Sequence, residues 1–199
     1  MPLSHPAPRE PVHTRAITLN GYARDDGLFD VEAYLSDTKP WAFENEDRGI
    51  IDPGTPLHGM WMRMTVDINL TIVACEAATD HSPYTLCPSA APNFSRLAGL
   101  RIKPGFLKEA NARVAGAAGC THLRELLQQM ATTAYQAVYP VRARQKAPPA
   151  REEPAETDRA ARMLNTCVAY GADSLVVRRN WPDLYTGPTE HPAEPAPAK

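Results

Sequence analysis

The feature that most constrains the fold is a long alternation of apolar and polar residues between positions 60 and 72. Its apolar members are Met60, Met62, Met64, Val66, Ile68, Leu70 and Ile72. A period of two is typical of a β-strand with one buried face. At about 3.3 Å per residue the run is too long for one ordinary strand. We therefore predict a hairpin with its turn near residues 67–69.

A second alternating run covers residues 28–36, with Phe29, Val31, Ala33 and Leu35 on one side. A weaker alternation over residues 15–22 precedes it. The Asp26-Gly27 pair between the two runs suits a tight turn. These runs predict a second antiparallel hairpin.

Beyond Pro83 the apolar residues follow helical spacing. A short helix is predicted to begin after Pro104-Gly105, and an amphipathic helix over residues 121–139 is predicted to end at Pro140. A further short helix is predicted over 158–170 and a strand over 174–178. Strands followed by helices indicate an α+β fold, an antiparallel meander with helices packed on one face.

Length and proline placement predict the domain organisation. The chain has 199 residues, 43% of them hydrophobic, which suits one main domain. Many of its 20 prolines cluster near the ends and around position 150. We predict disordered tails at 1–13 and 187–199, a main domain at 14–141, a linker at 142–156, and a short helical lobe at 157–186 packed on the main domain.

Charge and composition limit the partners and the location. The chain carries 21 Lys+Arg against 23 Asp+Glu, so it offers no basic surface for nucleic acid or for an anionic membrane. Neither a membrane-spanning apolar stretch nor a secretory leader is visible, and a cytoplasmic location is expected. The expected partner is a small-molecule substrate or a client protein, and a homo-oligomer stays open. The common nucleotide-binding, zinc-protease and serine-hydrolase motifs do not occur.

Three segments at element boundaries hold candidate metal ligands, namely His58, Cys87 and Cys120. One imidazole and two thiolates suit zinc or iron and leave a fourth coordination position open. Cys120 stands at the predicted start of the long helix, where the helix dipole favours a thiolate. The alternative is that the cysteines are packing residues, since free cysteine is among the most buried residue types.

Other polar residues are candidates for moving protons at such a site. Asp80 and His81 lie in a predicted loop shortly before Cys87, where they would act as catalytic groups or as further ligands. The alternative is that they only form a solvent-exposed turn. His122 follows Cys120 by two residues and is a third catalytic candidate. Side chains that could line a substrate pocket, or belong to the core, are Met60, Met62, Met64, Trp61 and Phe94, and Cys167 is expected in the core.

Four segments carry a resemblance to a known family: residues 21–28, 37–39, 56–60 (PLHGM) and 119–123 (GCTHL). Together they look like an uncharacterised bacterial family, a domain of unknown function, over most of residues 14–180. This resemblance implies no activity.

A more distant similarity is to the NifU/IscU-type iron–sulfur scaffold proteins. Pro56–Met60 resembles their first cysteine segment, with His58 in the cysteine position, while Cys87-Pro88 resembles the second and Cys120-Thr121 the third. The resemblance implies a small antiparallel sheet followed by helices and a shared site at His58, Cys87 and Cys120. The family's aspartate two positions after the first cysteine is Met60 here. Loss of one thiolate and one carboxylate favours a mononuclear metal over cluster assembly.

Three functions follow from these patterns. The first is a metal-binding enzyme, a lyase, hydrolase or isomerase, that acts on a small aromatic or acyl substrate. The second is a scaffold or accessory protein that carries iron–sulfur or sulfur to a client. The third is a binding module without metal, in which the cysteines only pack.

Overall fold

Four antiparallel strands, neighbours in chain order, form the sheet in the computed structural model, which describes residues 3–145 and 163–188. They are β1 (Thr14–Ala23), β2 (Phe29–Thr38), β5 (His58–Val66) and β6 (Ile72–His81). A separate small hairpin, β3 (Phe43–Asn45) with β4 (Gly49–Ile51), lies in the chain between β2 and β5. Both predicted hairpins are confirmed. In the β5–β6 turn the carboxylate of Asp67 accepts hydrogen bonds from the backbone N–H groups of Asn69 and Thr71.

The alternation of each strand decides which side chains are buried. On β2 the predicted inner residues are almost fully buried, and so are the three methionines of β5. They pack against helical residues in one core, so Met60, Met62, Met64 and Phe94 are core residues. The α+β class, an antiparallel sheet followed by helices, is confirmed.

The helical half begins with a 3-10 helix, Cys87–Leu97, followed by α1 (Phe106–Val114) and α2 (Thr121–Gln145). The prediction that Pro140 ends α2 is wrong, because the helix continues five residues beyond it. Proline removes one backbone hydrogen bond. Packing on both sides of it offsets that loss, since Val138 is buried and Val141 packs against the core.

The chain divides into two compact units, residues 1–146 and 147–199. In the second unit, α3 (Leu175–Asn180) lies between two short 3-10 helices, Val168–Tyr170 and Pro182–Leu184. The strand predicted at 174–178 is therefore wrong. Ser174 caps α3 by accepting a hydrogen bond from the N–H of Val177, and this cap outweighs the strand preference of the two valines.

Several sequence-based expectations fall partly outside the described residues. These are the linker at 142–156 beyond Gln145, the helix at 158–170 before residue 163, and the tail after residue 188. The described parts correct two of these predictions. Residues 142–145 belong to α2, and residues 164–167 form turns and bends, with a 3-10 helix only at Val168–Tyr170. Asn165 has a left-handed φ of 59°, which an α-helix does not accommodate. Cys167 is exposed, which corrects its expected place in the core, and all four cysteines are unpaired. Within the two described ranges, no helix combines the length and apolarity needed to cross a membrane.

Candidate functional site

The candidate site begins as a row of three polar residues across the sheet. Arg15 on β1 is the direct cross-strand partner of Asp37 on β2, and Asp37 is the direct partner of His58 on β5. Each residue continues the inward series of its strand, in which Ile17, Leu35 and Met60 come next. The row therefore forms the polar end of the apolar inner face of the sheet.

Asp37 is the centre of this row and is 1% exposed. Its Oδ1 accepts hydrogen bonds from Arg15 Nε at 2.8 Å and pairs with His13 Nε2 at 3.1 Å. Its Oδ2 accepts from Arg15 Nη2 at 2.8 Å and pairs with His58 Nδ1 at 2.9 Å. Two charge-assisted bonds from one guanidinium hold the carboxylate in a fixed plane.

This carboxylate also determines the tautomer of His58. An ionised carboxylate can only accept hydrogen bonds, so Nδ1 of His58 carries the proton. In the neutral ring, Nε2 then keeps its lone pair. His58 is consequently set up to bind a metal ion or accept a proton through Nε2.

The N-terminal end of α2 supplies the remaining groups. The ring of His122 lies against that of His58, with centroids 3.8 Å apart. Its Nε2 lies 4.0 Å from Asp37 Oδ2 and its Nδ1 lies 3.9 Å from Cys120 Sγ. Cys120 immediately precedes α2 and packs with its sulfur 3.8 Å from Met60 Sδ. Arg15 also joins the helix to the sheet, since its Nη1 donates to Glu125 of α2 at 2.5 Å.

The surroundings lower the pKa of Asp37 and of both histidines. Burial alone would raise the pKa of Asp37, but the hydrogen bonds and charge of Arg15, with those of His58, outweigh it and lower the pKa to about 2. Burial, with the neighbouring His122 and Arg15, lowers the pKa of His58 and outweighs Asp37, which raises it. Burial and the charge of Arg15 lower the pKa of His122. A lowered pKa favours the neutral imidazole, which is the form that binds a metal ion or accepts a proton.

The structure brings together three of the six site residues expected from sequence. His58, His122 and Cys120 lie in this cluster. His58 and Cys120 were expected as metal ligands, and His122 was expected as a catalytic group. The ligand atoms of Asp37, His58 and His122 all lie within 4.8 Å of one another, the one such group found in the part of the chain that the structure describes.

The other three expected residues lie outside this converging group. Cys87 is the first residue of the 3-10 helix Cys87–Leu97 and is half-buried. Asp80 and His81 form the end of β6, where His81 pairs in register with Gly59. Asp80 accepts a hydrogen bond of 2.7 Å from the indole N–H of Trp61.

Sequence reasoning missed Asp37 and Arg15, although a signal for both was present. Extending the inward series of β2 by two residues beyond Leu35 reaches Asp37, and extending that of β1 backwards from Ile17 reaches Arg15. A charged residue in step with a buried series is one that needs a partner, because burying an unpaired charge is costly. Their opposite signs indicate that they pair with each other.

The fold and the site define a class: an α+β domain with a four-stranded antiparallel meander and a cluster of carboxylate, imidazole and thiol groups where the sheet meets a helix N-terminus. The family model described as "Protein of unknown function (DUF2889)" matches residues 13–136. The chain belongs to this family, as its PLHGM and GCTHL segments indicated. Comparison with curated proteins finds no significant match, and comparison with solved structures finds none either.

Proposed function

We propose that the protein is a metal-dependent enzyme whose zinc or iron ion is bound by His58, His122 and Cys120. The observation that carries this proposal is the hydrogen bond from His58 Nδ1 to the buried carboxylate of Asp37. Metal-bound histidines in proteins almost always donate their second N–H to a carboxylate, carbonyl or water, which fixes the ring and raises the basicity of the ligating nitrogen. His58 has this arrangement, with Nε2 as the ligating atom.

His122 and Cys120 support the same proposal. One nitrogen of His122 faces Asp37 and the other faces the sulfur of Cys120, and the two imidazole rings lie side by side. Two neutral imidazoles and a thiolate are a donor set suited to zinc or iron. This set keeps the sequence-based ligands His58 and Cys120 and replaces Cys87 with His122.

Asp37 acts in this proposal as the carboxylate that orients the histidines. Its two oxygens already interact with four N–H groups, two of them on Arg15. A cation bound directly to Asp37 would lie next to a guanidinium that is always charged. Electrostatic repulsion therefore favours a metal ion on the far side of the imidazole rings.

Three protein ligands leave a coordination position for a substrate or a water molecule, as in catalytic zinc sites. An ion there would polarise the carbonyl of an acyl substrate or lower the pKa of a bound water. We propose a small acyl or aromatic compound as the substrate, and a lyase, hydrolase or isomerase reaction. The unpaired cysteines favour a reducing compartment, so the proposed location is the cytoplasm.

Cobalt substitution tests the ligand set directly. The metal-free protein is titrated with Co²⁺ under anaerobic conditions, and visible and near-ultraviolet absorption are recorded. We expect d–d bands and a thiolate-to-cobalt charge-transfer band, with the charge-transfer band lost in Cys120→Ser and kept in Cys167→Ser, a control at an exposed cysteine.

The histidines and Cys87 complete this experiment. His58→Ala and His122→Ala should each weaken cobalt binding by more than Asp37→Asn does. Asp37 only orients a ligand, so its replacement should reduce the affinity for cobalt by about 10- to 100-fold. His5→Ala, at an exposed histidine, should bind cobalt like wild type. Loss of the charge-transfer band in Cys87→Ser but not in Cys120→Ser would favour a different thiolate and contradict this ligand set.

A carrier of iron–sulfur is the second candidate. It is supported by the order of the elements, since His58 begins β5 and Cys120 immediately precedes the long helix α2. This order agrees with the resemblance to the NifU/IscU-type scaffolds. Acid-labile sulfide and broad visible absorbance in anaerobically purified protein would favour the scaffold, and a colourless protein with one tightly bound zinc would favour the enzyme.

A further inference from the structure

We propose that the outward face of the sheet binds a small organic ammonium ion. The site, called here the ammonium site, consists of the aromatic pair Tyr34 and Trp61 and the carboxylates of Glu32, Glu76 and Asp80. This proposal is independent of the proposed metal, because it concerns the opposite face of the sheet.

Strand alternation separates the two sites. On β5, the side chains of His58, Met60 and Met62 belong to the inner series, whereas Trp61 and Arg63 belong to the outer one. The outer rows run directly across the strands: Tyr34 is the cross-strand partner of Trp61, which pairs with Ala78, and Glu32 is the partner of Arg63, which pairs with Glu76. The ammonium site is therefore built on rigid neighbouring strands.

The aromatic pair provides the surface that attracts a cation. The rings of Tyr34 and Trp61 lie with centroids 4.2 Å apart, and Trp61 remains 46% exposed. Its indole N–H donates to Asp80 at 2.7 Å, which fixes the orientation of the ring. An anionic acceptor at this N–H also adds electron density to the indole. Because the faces of aromatic rings are negative, a cation above an exposed tryptophan is attracted to it.

The charges around Trp61 favour a cation over an anion. Arg63 donates to Glu32 at 2.8 Å and lies 3.7 Å from Glu76. One guanidinium thus stands among three carboxylates, counting Asp80, which leaves a net charge of −2. A bound cation would reduce this repulsion between carboxylates, whereas an anion would increase it.

The shape of the surface limits the size of the ligand. A shallow cavity of about 270 Å³ lies among Glu32, Trp61, Arg63 and Glu76, and its floor includes Ala77 and Ala78. Ala78 is the outward cross-strand partner of Trp61, and its small side chain leaves room beside the indole. A cavity of this size lies at or below the lower end of ordinary ligand pockets, so we infer a small quaternary or alkyl ammonium group.

The test compares a cation with its neutral isostere on the full-length protein. Choline and 3,3-dimethyl-1-butanol have nearly the same shape, and only choline is charged. Each is titrated while the indole N–H resonance of Trp61 is followed by NMR. We expect choline to bind at least about tenfold more tightly, as a cation–π contact supported by carboxylates predicts. Equal binding of the two compounds, or no binding of choline, would overturn the proposal.

Variants locate the site on the protein, with binding of every variant followed by calorimetry. Trp61→Leu should abolish choline binding and Trp61→Phe should weaken it several-fold, because phenylalanine keeps an aromatic face. Glu76→Gln should also weaken it. Trp41→Leu is the matched control, since Trp41 is exposed to a similar degree (44%) and should leave binding unchanged. These side chains are exposed, so the variants are expected to fold. Unchanged binding in Trp61→Leu would refute the assignment.

Discussion

Two parallel hydrogen bonds of 2.8 Å join the guanidinium of Arg15 to the carboxylate of Asp37 across neighbouring strands. Because Asp37 is almost fully buried, this ion pair is the means by which a charge is accommodated at the end of the core. The same carboxylate orients His58, and the same guanidinium reaches α2 through Glu125. The pair therefore links the stability of the fold to the geometry of the candidate site.

Replacing Asp37 by Asn should destabilise the protein by about 2 kcal/mol, because Arg15 and His58 lose their charged acceptor and the new amide N–H₂ faces other donors. The free energy of unfolding is measured by urea denaturation of the metal-free protein. Asp26→Asn is the control, because Asp26 pairs with Arg24 on the exposed turn and should change stability by less than about 0.5 kcal/mol. Equal effects of the two substitutions would contradict a structural role for the buried pair.

The lowered pKa of Asp37 predicts how stability depends on pH. Its pKa is about 2 in the folded protein and near 3.8 in the unfolded chain, so the unfolded chain takes up the proton first as the pH falls. This carboxylate should therefore contribute about 2 kcal/mol above pH ~4 and lose that contribution progressively towards pH ~2. Urea titrations of metal-free protein between these values measure the slope, which should be flatter in Asp37→Asn. An unchanged slope in the variant would show that other groups cause acid unfolding.

Gly119 places Cys120 at the start of α2, and alanine there should disturb the site. A Cβ at Gly119 would lie 1.8 Å from the carbonyl oxygen of Val114, a backbone atom that cannot move away easily. We expect Gly119→Ala to lose more than about 2 kcal/mol of stability, as overpacking against backbone predicts.

Gly54→Ala separates this clash from backbone strain. A Cβ at Gly54 meets no atom within 4 Å, but its φ of +78° is left-handed. Gly54→Ala should therefore lower the free energy of unfolding by about 1 kcal/mol through backbone strain alone. Urea unfolding and cobalt binding are measured for both variants, and cobalt binding should be weakened in Gly119→Ala only. A Gly119→Ala protein as stable as Gly54→Ala would show that the segment adjusts readily.

The strands were predictable because burial and a period of two coincide in them. The inner series of β2 and of β5 are continuous in the sequence, and the turns between strands contain residues with strong turn preferences, such as Asp67 and Gly27. Local rules failed where tertiary packing decided the outcome. Pro140 is kept within α2 by the packing of Val138 and Val141, and no local preference signals that contact.

The candidate site was only partly predictable, because its central residue, Asp37, is a charged residue at the end of the buried apolar series of β2. His58 and Cys120 stand out by residue type and by their positions at element boundaries. Asp37 is recognised only when the register pairs it with Arg15 and His58, which depends on contacts 22 and 21 residues apart in the chain. Similarly, Asp80 was expected at the metal site. Its side chain instead accepts a hydrogen bond from Trp61, whose indole lies on the outward face of the sheet.

The content of zinc and iron per chain, measured by mass spectrometry after anaerobic purification without a metal-binding tag, tests the central claim most directly. We expect about one ion per chain in wild type, retained in Cys167→Ser and lost in His58→Ala, His122→Ala and Cys120→Ala. Folded wild-type protein that contains no zinc or iron, and binds neither when each is added, would contradict it. Full metal occupancy in the Cys120→Ala and His58→Ala variants would contradict the ligand assignment itself.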